Sequence, residues 1–167
     1  LNLTSGLETK PFVLLTLQHL SGAVGVAKLS RLQPALSKIA QHIPVVLPAT
    51  PATLQCIHEA DLNDYFVDHS LDGPEPWDAR VRIRLIPQVG YLDFVKLMTA
   101  AKITLTDCPD IQEKISVLGV PFISLADGES GPAFLDVMTK ALVASDLKQF
   151  LGIFYSLSRG GASCSLP

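Results

Sequence analysis

The stretch from Ile103 to Leu125 constrains the fold more than any other part of the chain. Both ends of this stretch are short apolar runs that predict buried strands, and Ile111, Ile115 and Leu118 recur between them at helical spacing. A strand, a turn, a helix and a second strand within one short unit are typical of a parallel sheet. The turn before the helix places backbone N–H groups where an anionic ligand can bind.

Strand and helix patterns alternate along the rest of the chain. Strands are predicted at 12–17, 45–47, 83–86, 103–106, 121–125 and 141–143. Helices are predicted at 28–41, 53–60, 91–101 and 111–118, around Phe134, and at 146–157. Pro48 closes the second strand, Pro34 indicates that the first helix starts late or kinks, and residues 61–80 read as a long loop. We therefore predict a doubly wound, Rossmann-like α/β domain with a parallel sheet of about six strands.

The length of 167 residues suits one domain with a sizeable core. Because the chain begins in a polar stretch without an initiator Met, we expect a piece of a longer polypeptide. We assign residues 1–10 to a linker remnant, 11–158 to the domain and 159–167 to a tail. The mean hydropathy of +0.34 fits a sheet buried on both faces. It fits equally well an apolar surface that a second domain or subunit covers.

Composition excludes several classes of protein. The net charge is −3, and a small basic cluster at Arg80, Arg82 and Arg84 alternates with apolar residues as in a strand, so no nucleic-acid partner is expected. The three cysteines show no CxxC spacing, which argues against a zinc site or a disulfide framework and favours the reducing cytoplasm. No apolar run approaches the length of a membrane span, and we expect no metal or cofactor.

The residues from Thr106 to Pro132 resemble a segment of the non-hydrolysing UDP-N-acetylglucosamine 2-epimerases, LTDSGGxQEExxxLGxPxLxxRDxTERPE. The matching positions are Thr106, Asp107, Ile111, Gln112, Glu113, Leu118, Gly119, Pro121, Asp127 and Pro132. Segments at 11–18, 42–51, 85–98 and 142–146 resemble further parts of the same family in the same order. The resemblance implies the C-terminal half of a glycosyltransferase-B-type fold, in which this half binds the nucleotide and the chemistry occurs between the halves. A missing N-terminal half-domain or a homo-oligomer partner would then complete it.

The departures from the family pattern fall on its ligand-binding positions. Cys108, Pro109 and Asp110 stand where the family has SGG, and Lys114 replaces the second glutamate of QEE. The histidine and arginine of the THR or GHR motif are replaced by Gln18 and His19, and further motif positions carry Thr50, Ala126, Ser130 and Gly131. The scaffold pattern is therefore kept while the ligand chemistry is largely lost, and we assign no catalytic residue.

Two readings stay open for the turn before the fourth helix. Pro109 removes one N–H and Asp110 adds a negative charge where phosphates would sit, which Lys114 would offset in part. Alternatively, Asp110 is the N-cap of the helix at 111–118, with Glu113 as the reciprocal capping-box residue. Cys108 is either a reactive thiol at a helix N-terminus or a packed one.

The remaining candidate ligand residues are Gln18, His19 and Phe94. Gln18 and His19 lie at the predicted carboxyl end of a strand, and Phe94 either stacks on a base or packs in the core. We therefore expect a 2-epimerase-like C-terminal domain that is catalytically incompetent alone and binds UDP or a UDP-sugar weakly at most. One alternative is the nucleotide-binding half of a divergent active 2-epimerase or glycosyltransferase. Another is a protein-interaction domain that reuses the cleft.

Overall fold

The computed structural model describes residues 12–18, 20–41, 43–68, 83–120 and 122–125. The described strands are β1 (Val13–Thr16), β2 (Val45–Ala49), β3 (Phe66–Asp68), β4 (Ile83–Pro87), β5 (Ile103–Thr106) and β6 (Phe122–Ser124). The described helices are α1 (Gly22–Ala40), α2 (Pro51–Glu59), α3 (Tyr91–Ala100) and α4 (Pro109–Leu118). His19, the predicted elements around 134, 141–143 and 146–157, and the predicted domain limits lie outside the described residues.

The described strands form one parallel sheet in the order β3-β4-β2-β1-β5-β6, which confirms the predicted doubly wound α/β fold. The central strand β1 pairs with β2 on one side and with β5 on the other. The chain leaves β1 through α1 towards β2, and it leaves β5 through α4 towards β6, in the opposite direction. A crevice therefore opens at the carboxyl ends of β1 and β5, where ligands bind in open α/β sheets.

Alternate residues of β1 point into two separate cores. Val13 and Leu15 join the core that contains residues of α1 and α2, whereas Phe12 and Leu14 join the core that contains residues of α3 and α4. The sheet is thus covered on both faces, which accounts for the apolar β1 sequence. None of the described helices combines the length and the apolar character needed to span a bilayer.

Helix α1 differs from its prediction, because it begins at Gly22 and contains Pro34. The predicted part of the helix is observed, and Leu29, Leu32, Leu36 and Ile39, which recur in it at helical spacing, are buried. Gly25 lies in the part of α1 that was not predicted, and a Cβ there would lie 2.9 Å from Cys56 Sγ and 2.9 Å from the Leu20 carbonyl carbon. Only a glycine permits this approach of α1 to α2, and small residues such as those at 22–27 give no apolar periodicity.

Two strands also differ from the predictions: one was not predicted, and the other is longer than predicted. Strand β3 lies in the stretch predicted as a loop, where Phe66 is 5% exposed and pairs with Ile83 of β4. Its three residues are too few to show a period of two. Strand β2 continues through Pro48, which is possible because β2 pairs with β1 only at Val45 and Val46 and continues beside β4 alone.

Candidate functional site

A cleft of about 250 Å³ lies at the carboxyl edge of the sheet. The ends of β1, β2 and β4 supply Thr16, Gln18, Thr50 and Gln88, and Ile111 of α4 also contributes. The aromatic part of its lining consists of Tyr91 and Phe94, from the first turn of α3. The cleft therefore joins two aromatic rings to hydroxyl and amide groups.

The described lining of this cleft contains no carboxylate, amine or guanidinium. Thr16 is 7% exposed, and its hydroxyl has no hydrogen-bond partner among the described residues. The hydroxyl of Thr50 is already used, because it accepts a hydrogen bond from the Thr53 backbone N–H at 3.2 Å. The described lining therefore offers aromatic, hydroxyl and amide groups to a ligand.

A buried carboxylate lies directly behind the cleft, at the turn after β5. The side chain of Asp107 is 4% exposed, and its Oδ2 lies 2.7 Å from Lys28 Nζ of α1. Its Oδ1 accepts a hydrogen bond from the Gln18 backbone N–H at 2.7 Å. One carboxylate therefore connects α1, the end of β1 and the turn after β5.

The beginning of α4 corrects one prediction. Cys108 is the N-cap residue and the helix starts at Pro109, so the prediction of Asp110 as N-cap, with Glu113 in a capping box, is wrong. Asp110 lies in the first turn instead, two positions after the cap residue. Cys108 is 1% exposed and its backbone N–H donates to Thr106 Oγ1 at 3.0 Å, so a packed thiol is favoured over a reactive one.

The structure brings together some of the candidate residues. Gln18 and Phe94 line the cleft, and Phe94 also packs against the core on the α3 side. Lys114 lies with its Nζ 5.3 Å from the ring centroid of Tyr91, which places its charge at the rim of the cleft. Asp110 and Glu113 are exposed on α4.

Several cleft residues were not predicted. Thr16, Gln88 and Tyr91 line the cleft, and Asp107 and Lys28 lie behind it. Thr16, Gln88 and Tyr91 could have been predicted, because each lies at or just after the predicted carboxyl end of a strand, where ligands bind in such sheets. The described residues contain no group of His, Cys, Asp or Glu side chains suited to a metal ion.

The family model for UDP-N-acetylglucosamine 2-epimerase matches residues 2–153 of the chain. A relative with that name from Methanococcus maripaludis is 27% identical over 146 residues, which cover 86% of this chain and 37% of the relative. A UDP-2,3-diacetamido-2,3-dideoxy-D-glucuronate 2-epimerase from Pseudomonas aeruginosa is 26% identical over 117 residues, covering 70% of this chain and 28% of the relative.

Solved structures of the same family share the fold. The UDP-GlcNAc 2-epimerase of Methanocaldococcus jannaschii, in complex with UDP-GlcNAc and UDP, superposes with a TM-score of 0.71 at 23% identity over 91% of this chain and 40% of that one. The Neisseria meningitidis enzyme bound to UDP-GlcNAc gives a TM-score of 0.64 at 22% identity over 93% of this chain. The chain spans 37% of the length of the Methanococcus relative, so it corresponds to part of such a protein. The resemblance inferred from the sequence is confirmed, and the chain belongs to the UDP-N-acetylglucosamine 2-epimerase family.

Proposed function

We propose that this chain is the nucleotide-binding half of a 2-epimerase-type protein, with a weak site for UDP or a UDP-sugar and no epimerase activity of its own. The observation that carries the proposal is the cleft at the switch point, which pairs Tyr91 and Phe94 with the neutral polar side chains of Gln18, Gln88 and Thr16. Aromatic rings stack on a planar base, and amides and hydroxyls bond its polar edge. We place this function in the cytoplasm, where the free thiols of Cys56 and Cys108 stay reduced.

The volume of the cleft supports binding of part of a nucleotide sugar. About 250 Å³ is slightly below the roughly 300–1,000 Å³ of sites that enclose a drug-sized ligand. A base and part of a ribose fit such a space, and the diphosphate and sugar would extend beyond it. This geometry suits a half-site that a second domain or a second copy would complete.

The phosphate end of the proposed site is weakened by the first turn of α4. Pro109 has no N–H to donate, and Asp110 places a negative charge in that turn. Two like charges 4 Å apart repel by about 4 kcal/mol at an effective dielectric constant near 20, and by about 1 kcal/mol in bulk water. Since Asp110 is exposed, the smaller figure applies, and Lys114 beside Tyr91 offsets part of it.

Epimerisation at C2 of the sugar requires a group that removes a proton and another that returns it. The described cleft lining offers no such pair, and the family resemblance places the carboxylates of the reaction in the other half. We therefore expect the 167-residue chain to leave UDP-GlcNAc and UDP-ManNAc unconverted. Turnover by this chain, with contaminating enzyme excluded by a mock purification, would contradict this part of the proposal.

The binding test is a calorimetric titration of the chain with UDP. We expect measurable but weak binding that falls when Gln88, in the cleft, is replaced by alanine. The matched control is Gln55→Ala, because Gln55 is an exposed glutamine of α2 that bonds only Glu59 among the described residues. Loss of affinity in the Gln55 variant, or binding that neither variant changes, would place the ligand elsewhere.

A second candidate function is the nucleotide-binding half of an active, divergent 2-epimerase or glycosyltransferase. The observation that favours it is the share of relatives that the chain covers, 37% of the Methanococcus protein and 40% of the Methanocaldococcus structure. The coding sequence on either side of these residues decides the matter. A neighbouring half with carboxylates facing the cleft would favour the active enzyme.

A further inference from the structure

The ion pair between Asp107 and Lys28 joins separate elements of the fold, whereas an ordinary surface ion pair often lies within one element. Asp107 follows β5, Lys28 lies in the second turn of α1, and the two charged atoms are 2.7 Å apart. The other carboxylate oxygen holds the Gln18 backbone N–H, also at 2.7 Å. The carboxylate therefore spans the crevice between β1 and β5, behind the cleft.

A second ion pair in the described residues shows the difference. Lys96 Nζ and Asp93 Oδ1 are 3.6 Å apart on one helix, with side chains 70% and 56% exposed, whereas the side chains of Lys28 and Asp107 are 15% and 4% exposed. Exposed pairs of the first kind contribute little, because water and salt screen them. A buried pair must keep a definite geometry, because a displaced partner would leave a charge without compensation.

We propose that Asp107 and Lys28 form a brace that holds Gln18 in position for the ligand, an inference that rests on the proposed nucleotide site. Gln18 lines the cleft, and the bond from its N–H to Asp107 fixes the backbone from which its side chain extends. The Asp107 N–H also reaches the Thr16 carbonyl at 3.4 Å, which ties the same turn to the end of β1. Asp107 is a positioning residue, since it is not part of the cleft lining.

Lys28 matters to the cleft although it does not line it. Its ammonium keeps the buried Asp107 carboxylate paired, and an ionised acceptor holds the Gln18 N–H more strongly than a neutral one. Removal of Lys28 would leave the carboxylate buried without its counter-charge and free to turn towards water. A substitution of Lys28 in α1 should therefore alter the position of Gln18 at the end of β1, because Asp107 contacts both residues.

The first experiment compares UDP affinities by calorimetry. Replacement of the brace residues, Asp107→Asn and Lys28→Met, should weaken UDP binding on the order of fivefold, as expected for the loss of about one hydrogen bond. The matched controls at the exposed pair, Asp93→Asn and Lys96→Met, should leave it unchanged. Asn keeps an acceptor for the Gln18 N–H, so Asp107→Asn should bind better than Asp107→Ala. Equal affinities in the brace variants and the wild type would overturn the proposal.

A double-mutant cycle separates positioning from general stabilisation. In a Gln18→Ala background the backbone N–H remains but the side chain is gone, so Asp107→Asn should have no further effect on UDP affinity. Additive losses in the cycle would mean that Asp107 acts on the ligand by another route, and would overturn the proposal. A purely structural role would lower the unfolding free energy without producing this non-additivity.

A measurement without ligand keeps the brace testable if the wild type fails to bind UDP, an outcome that would defeat the proposed function itself. Amide hydrogen exchange at Gln18 should accelerate in Asp107→Asn and Lys28→Met, with the Leu54 N–H, bonded to the Thr50 carbonyl at 3.1 Å, as reference. Unchanged exchange at Gln18 would overturn the brace. If single variants unfold, the double variant Lys28→Met with Asp107→Ala removes both charges, and it should exchange as fast at Gln18.

Discussion

Helices α2 and α4 begin in the same way but complete their first turns differently. Each follows a parallel strand and has a proline at its start, Pro51 in α2 and Pro109 in α4. In α2, the Thr50 N–H donates to Thr53 Oγ1 and the Thr53 N–H donates to Thr50 Oγ1, both at 3.2 Å. Both N–H groups are therefore satisfied within the first turn. In α4, the cap residue makes no side-chain bond.

The difference lies in how far side chains satisfy the N–H groups of the two helix starts. A reciprocal capping box satisfies two of the N–H groups that a helix start leaves free, so it stabilises the start of α2. At the start of α4 the Cys108 N–H is bonded to Thr106 Oγ1, but the Cys108 side chain caps none of the N–H groups of the first turn, which lies beside the crevice between β1 and β5. Four predictions concern these helices and the residues packed against them, and they follow in order of decreasing size.

Gly25→Ala should destabilise the fold on the order of 2 kcal/mol, because the new Cβ would lie 2.9 Å from Cys56 Sγ and from the Leu20 backbone, where α1 packs on α2. Gly90→Ala is the matched control at the start of α3, where a Cβ meets nothing within 4 Å. Urea denaturation of both variants checks the prediction. Equal unfolding free energies would show that the α1–α2 contact is looser than the structure indicates.

The double change Pro109→Gly with Asp110→Gly should strengthen UDP binding about tenfold, because it restores one N–H donor and removes one like charge. Pro51→Gly, at the start of α2, should leave the affinity unchanged. Calorimetry measures both, with circular dichroism to confirm the fold. Equal or weaker affinity in the double variant would favour the reading in which the cleft serves a protein partner.

Thr50→Ala should lower the unfolding free energy by about 1 kcal/mol, the usual effect of losing a helix N-cap. Thr50→Ser keeps the hydroxyl and should stay within about 0.5 kcal/mol of the wild type. Chemical denaturation at neutral pH is the measurement. If the two variants are equally unstable, the methyl group of Thr50, and not its hydrogen bond, is what stabilises the start of α2.

The smallest effect concerns pH. Burial, and secondarily the Glu59 carboxylate, raise the pKa of the Cys56 thiol above its ordinary value of 9.0. The unfolded chain therefore loses this proton first, so the stability that the neutral thiol contributes is present below pH 9 and falls as the pH rises above it. Unfolding free energies at pH 8 and pH 10 should differ less in Cys56→Ala than in the wild type. The same difference in both proteins would assign the effect to other groups.

The sheet and most helices were predictable because their signals are local. The alternation of strands and helices predicted five of the six described strands, and the apolar spacing placed Ile115 in the core. Strand β3 and the first turn of α1 gave no such signal, because one is three residues long and the other is built from small residues. Asp110 was misread as an N-cap because its residue type suits a cap, whereas Pro109 takes the first helical position and the preceding Cys108 is the cap.

The cleft was predictable only in part, since its contacts join distant segments. Gln18 and Phe94 followed from the family pattern, and both line the cleft. Asp107 was recognised as a motif residue, but its partners lie 89 and 79 positions away in the sequence. No periodicity links such positions, so the brace could be seen only once the strands were placed in order.

The pairing of β1 with β5 has a consequence for how the protein folds. The central strand, which is nearly the first described part of the chain, gains its second neighbour only about ninety residues later, when Ile103 comes beside Val13. Contacts of such high sequence separation slow folding, because a long loop must close before the pairing stabilises it. During synthesis, β1 would therefore present an unpaired apolar edge until β5 has emerged. We expect refolding to be slow, and to yield aggregates as the protein concentration rises.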